Sequence, residues 1–222
     1  METWRTEWIH RKNDIALKLG AGECGGSYGE VVIILCTALS ALAADVWPGS
    51  GIDRVRFVEL LKDFAPRDLN STRISIPLLV WYLRTKGRNA ESEMIRKVFL
   101  DYNSSIVLTS DDVDKSETEI LAKCQTLSLK KLREHSYANL LYGEIRSGYA
   151  HEYRPRQIAD SWPMTQREDM SVSYINWIDD PDRHIHFHIS WILKLTLAVA
   201  QAIDSVAATL PRNVPHKWWV YG

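Results

Sequence analysis

The sequence predicts a mainly α-helical single domain, residues 1–222, with one β-hairpin set just before its last core helix. Three observations lead there. Apolar residues recur every three to four positions along most of the chain, the period of an amphipathic helix. Two Ser-x-x-Glu patterns, Ser27/Glu30 and Ser116/Glu119, are capping boxes that start helices. Strict alternation of polar and apolar residues, the mark of a strand, is confined to about 170–189.

The elements follow in order. The capping box at Ser27 opens a core helix over about 28–47, which stops at Trp47–Gly51. Its apolar run from Val31 is broken by Thr37 and Ser40 and ends at Asp45, too short for a membrane span. Asp53 reads as an N-cap for a helix with Val55, Val58, Leu60 and Leu61 on one face, closed by Pro66. "RISIPLLVWYLRTKG" and "AESEMIRKVFLDY" read as further helices, with Pro77 weakening the start of the first. From Leu129, the residues Leu132, Tyr137, Leu140, Leu141, Ile145 and Tyr149 predict one long helix over about 128–153, with Pro155 beyond. A polar linker containing Trp162 and Pro163 leads to "SVSYINWI" and "HIHFHI", joined by "DDPDR" as a hairpin. The last core helix covers about 189–210, before Pro211.

Composition narrows the function classes. With 45% hydrophobic residues the 222-residue chain can bury a core. A formal net charge of −1 gives no global field for a polyanion, so nucleic acid would need a local patch. The three cysteines, Cys24, Cys36 and Cys124, lack CxxC spacing, and no leader pattern precedes them. Both features predict a reducing, cytoplasmic setting without a membrane anchor.

Two motifs are set aside. "GAGECG", Gly20 to Gly25, matches GxGxxG, but no strand precedes it and no βαβ unit follows, so it reads as a loop between helices. His184, His186 and His188 alternate with Ile185, Phe187 and Ile189. No cysteine or carboxylate completes a metal set. They read as the solvent side of a half-buried strand, with no metal or cofactor expected.

A third pattern is kept. Arg146 and His151 stand five apart in "IRSGYAHEYRPR". The same interval occurs at Arg5/His10, near a chain end that frays, and at Arg183/His188, whose opposite parity on a strand points them apart. Five helical residues turn through about 140°. Convergence therefore needs long side chains, a distortion near Gly148, or a second helix brought close at Gly143. An imidazole can take a proton from a ribose 2′-hydroxyl, and a guanidinium can grip a phosphate at two points.

"LLYGEIRSGYAHEY" resembles the signature of HEPN domains (higher eukaryotes and prokaryotes nucleotide-binding), an arginine, commonly a polar residue, then a histidine four to six positions on. Arg146, Ser147 and His151 match it, with serine where asparagine, aspartate or histidine is usual. The resemblance implies a HEPN-like helical bundle elaborated by extra helices and the hairpin. It further implies a homodimeric, metal-independent endoribonuclease whose paired motifs attack single-stranded RNA through the 2′-oxygen. A toxin or antiviral-defence effector, with a neutralising or regulatory protein partner, is the setting it suggests. Ser147, Glu144 and Glu152 are the supporting residues, while Tyr142, Tyr149, Tyr153, Arg154 and Arg156 offer rings and charge to RNA. The alternative is a noncatalytic HEPN-like dimerisation or RNA-binding module.

Overall fold

The computed structural model describes residues 3–99, 107–160, 170–176, 183–212, 215 and 218–220. The chain is mainly helical, with a small antiparallel sheet. Its centre is α2, Tyr28–Val46, started by the expected capping box at Ser27 and Glu30. Val31, Val32, Leu35, Leu39, Leu42, Ala43 and Val46 are all buried. Each fully buried valine or leucine contributes about 1.5–3 kcal/mol. α1 (Trp4–Gly20), α3 (Asp53–Phe64) and α11 (Ile189–Ser205) pack around α2. Among the described residues α2 alone is long and apolar enough to cross a membrane, which corrects the reading from its run length. Even so, 56% of its apolar window is buried inside the fold.

Charge locks this layer. Arg5 bonds Asp204 at 3.1 Å and Asp45 at 2.6 Å, and the Thr6 hydroxyl donates to Asp204 at 2.8 Å. The N-terminal helix is thus stapled to α2 and α11. Arg5 is structural, and the segment expected to fray is held.

The second layer holds α4 (Ile76–Thr85), α5 (Asn89–Phe99), the short α6 (Ser110–Val113) and α7 (Glu117–Lys123), the last started by the expected box at Ser116 and Glu119. Pro77 does not weaken α4. It lies in the first turn after the Ser75 cap, where no amide is required of it. Asp53 is likewise no cap: it is the first residue of α3, its carboxylate paired with Arg56. Residues 161–169 and 177–182, which hold the linker tryptophan and the hairpin turn, lie outside the described residues.

The hairpin is β2 (Val172–Asn176) with β3 (Arg183–Phe187), in register Val172↔Phe187 to Asn176↔Arg183. A third strand that the sequence did not signal, β1 (Val107–Thr109), pairs with β2. Both faces are covered. Ile185 and Phe187 are buried on one side, but so are His186 and His188 on the other. The expectation of solvent-facing histidines is therefore wrong at those two positions. Tyr28 brings its ring to 5.1 Å from that of His186, and Trp191 stacks on Phe187 at 5.7 Å. With helices on both sides, alternation no longer marks a wet face.

The helix expected over 128–153 is also not continuous. It is α8 (Leu129–Glu134), a break at His135 and Ser136, α9 (Tyr137–Leu140), a π-helical turn over Leu141–Arg146, and α10 (Ser147–Glu152). At the break, residues 71–73 cross the chain and their carbonyls accept the first amides of α9. Tyr137 N donates to Arg73 O at 3.0 Å and Ala138 N to Ser71 O at 2.9 Å. A helix start whose free amides find partners is stable as a start. The last core helix is shorter than expected, ending at Ser205 with a 3-10 turn over Ala207–Thr209.

Candidate functional site

The π turn and α10 rest on α2. Leu141, Ile145 and Tyr149 face that core and are buried. Arg146, next to Ile145, is half-buried at the edge. Its guanidinium lies 5.2 Å from the ring centre of Tyr142, which meets Phe57 of α3 edge-on at 5.2 Å. The charge of Arg146 is also felt at Cys36 of α2, whose thiol burial pushes up to about 12, with the arginine's charge acting against the rise. Arg146 is thus oriented by an aromatic ring while forming no hydrogen bond among the described residues.

His151 is exposed on the last turn of α10 and makes no hydrogen bond or ion pair among the described residues. Among the described residues no hydrogen bond joins it to Arg146. The distortion of the helix falls at Leu141–Arg146, upstream of the pair, so it does not close the 140° between them. Gly148 serves a different purpose. After Tyr153, in the left-handed conformation at φ 54°, the chain doubles back and passes over Gly148, so closely that an added Cβ would lie 2.5 Å from the Arg154 carbonyl oxygen. Arg156 N donates to Glu144 O at 2.9 Å and fastens the return. Gly143, by contrast, has open space where a Cβ would be.

The supporting residues divide. Ser147 is buried. Glu144 is crowded by protein, and burial raises its carboxyl above the usual range, opposed by the charges of Arg156 and Arg54. Glu152 pairs in the open with Arg154 at 3.3 Å. Among the residues expected to meet RNA, Tyr142, Arg154 and Arg156 reach the surface. Tyr153 does too, with its hydroxyl on Glu30. That bond and the one from Ser27, the larger cause, hold the Glu30 carboxyl down at about 2. Tyr149 is a correction. Only 6% exposed, with its ring 6.3 Å from that of Tyr28, it packs in the core and has no free face for a base.

One part of the site has no local signal in the sequence. Arg54, in the first turn of α3, donates through Nε to Asn139 Oδ1 at 3.1 Å and lies 4.6 Å from the Trp219 ring centre. Its charge is felt first at Glu134 and then at Tyr142, Glu144 and Arg156. Arg54 and Arg156 thus lie near Glu144, and Arg146 lies on Tyr142, a local group of three arginines, set against Glu134 and Glu144, that net charge alone could not reveal. The glycine-rich loop runs between α1 and α2 with no strand before it. Among the described residues no group of three or more histidine, cysteine or acidic side chains is placed to hold a metal ion.

Comparison of the chain with protein-family models, curated proteins and solved structures finds no match.

Proposed function

We propose that this chain is a HEPN-type endoribonuclease that cleaves single-stranded RNA without a metal, using Arg146 and His151 from two copies of the chain. The observation that carries the reading is the division of labour on one helix. Arg146 is pre-set on Tyr142, a ring that the charge of Arg54 also reaches, while His151 stands exposed on the surface five residues later. A phosphate held by the guanidinium would meet a mobile imidazole supplied by a facing helix, at the open stretch around Gly143. In that arrangement the 2′-oxygen bonds to phosphorus as its proton passes to His151. The P–O5′ bond then breaks, and the departing 5′-oxygen takes up a proton from solvent. The bundle of α1, α2, α11 and the motif helix is the HEPN core on this reading, and an RNA-targeting toxin or antiviral effector in the cytoplasm is its setting.

The test is cleavage of a labelled single-stranded RNA in EDTA. Products should end in a 2′,3′-cyclic phosphate and a 5′-hydroxyl, and a 2′-deoxy nucleotide at the cut position should block it. Neither Arg146→Ala nor His151→Ala should cut alone. Their equal mixture should regain about a quarter of wild-type activity, since half of randomly paired dimers would carry one intact composite site. Magnesium-dependent cutting, or equal cutting of DNA, would sink the mechanism. An inactive mixture from an active wild type would place both groups in one protomer. The noncatalytic alternative is favoured by the lack of an Arg146–His151 hydrogen bond among the described residues, and RNA binding without any cleavage would establish it.

A further inference from the structure

Arg54 is held as a ligand-binding arginine is held. Its Nε is committed to Asn139 Oδ1 at 3.1 Å, and Asn139 is itself fixed, 1% exposed, with Nδ2 donating to Arg133 O at 2.8 Å. One face of the guanidinium lies against Trp219 at 4.6 Å. Among the described residues nothing bonds its two terminal nitrogens. The residue is exposed to solvent, yet protein atoms crowd it enough for burial to lower its affinity for a proton. Arg54 thus combines access to solvent with partial enclosure by protein. Two carboxylates, Glu134 and then Glu144, feel the charge of Arg54, and neither forms a hydrogen bond with it among the described residues. A guanidinium pinned at one nitrogen, stacked on a ring and open at its outer edge is set for two-point contact with a phosphate.

Resting on the ribonuclease reading for its substrate, we propose that Arg54 is a substrate-binding residue. With Arg146, which lies on the ring of the same Tyr142 that feels the charge of Arg54, it forms a two-point clamp on consecutive phosphates of single-stranded RNA. Arg146 takes the phosphate at which the chain is cut, and Arg54 takes a neighbour, with the exposed parts of Tyr142 and Trp219 available to the bases between. The rival account, that Arg54 only ties α3 to Asn139, makes different predictions for salt dependence.

The probe is a fluorescent single-stranded RNA made uncleavable by a 2′-deoxy nucleotide at the mapped cut site, or fully 2′-deoxy at one central position if no cut occurs. Affinity is read by anisotropy over a salt series for wild type, Arg54→Ala and Arg54→Lys, with thermal melts alongside. The clamp predicts about a tenfold loss of affinity for Arg54→Ala. It also predicts a fall of about 0.7 in the slope of log K against log salt, the signature of one lost phosphate contact on a single strand. Arg54→Lys should recover the slope and only part of the affinity. If wild type cuts RNA but Arg54→Ala keeps its Kd and slope, the clamp is overturned and the nuclease reading stands. If Arg54→Ala binds less well only in proportion to a lowered melting temperature, with an unchanged slope, Arg54 is structural and the clamp is overturned. If wild type binds with an Arg54-dependent slope but never cuts, the clamp stands and catalysis fails. If wild type binds no RNA, both fail.

Discussion

Replacing Asp114 by asparagine should change how stability depends on pH, in a direction fixed by the geometry around it. Asp114 is fully buried; Tyr137 and Tyr174 donate to its Oδ2, and Ile76 N donates to Oδ1 at 2.9 Å. Burial pushes the carboxyl from 3.8 up to about 7, against those hydrogen bonds, which favour the anion. A folded value above the unfolded one means that the native state holds the proton more tightly, so this group's contribution falls as pH rises from about 4 to about 7. The interval corresponds to about 4 kcal/mol. His135 acts in the opposite sense. Burial lowers it from 6.5 to about 4, so stability returns as pH climbs through that window, by about 3 kcal/mol. Wild type should therefore show a shallow profile that hides two opposed slopes. Urea unfolding of wild type and Asp114→Asn at pH 4, 5.5, 7 and 8 separates them, because His135 cancels in the difference. The difference should move by about 4 kcal/mol in favour of the variant between pH 4 and 7 and then level off. Parallel profiles, or a wild type that gains on the variant as pH rises, would refute the reasoning.

Two further outcomes concern the motif helix. His151→Ala should fold and melt like wild type, since the side chain is exposed, whereas Leu141→Ala, truncated at a fully buried position, should cost about 2–5 kcal/mol in thermal or urea unfolding. Gly148→Ala should cost about 1–3 kcal/mol and free the 154–156 return, because the new methyl would meet backbone, the Arg154 carbonyl at 2.5 Å, rather than a flexible side chain. Faster amide exchange at Arg156, whose N–H now bonds Glu144 O, would report the release.

What could be read from sequence was what neighbours in the chain decide among themselves. The boxes at Ser27 and Ser116 form as expected, because cap, amide and carboxylate lie within four residues. α2 forms where its apolar run stands. Where distant chain intervened, reading failed. The break at His135 depends on residues 71–73 crossing to take the amides of Tyr137 and Ala138; only Ser136, the cap of α9, hinted at it locally. His186 and His188 are buried because Tyr28 and its helix cover the face that alternation alone would assign to water. Arg54 lies 92 residues before Arg146 and joins it only through the packing of α3 on the π turn.

The π turn did leave a trace, in the spacing of the buried stripe rather than in any residue type. Tyr137, Leu141, Ile145 and Tyr149 follow one another at steps of four and are all buried. On an ideal helix each such step overshoots the 3.6-residue turn by about 40°, so three steps would carry Tyr149 about 120° away from Tyr137. A stripe that must stay on one core therefore needs a wider turn somewhere along it, and a π turn, bonded to the fifth residue, is the wide turn available. It falls at Leu141–Arg146, so the same accommodation that keeps all four side chains in the core ends at Arg146 and fixes where its guanidinium emerges. Tyr142, within the turn, is held by Phe57 on α3 and carries Arg146 on its ring. The core's demand for an unbroken apolar face and the site's placement of its arginine are thus met by one distortion. His151, one ordinary α-helical stretch further on, is left exposed, and on the proposed reading a second chain brings an arginine to it.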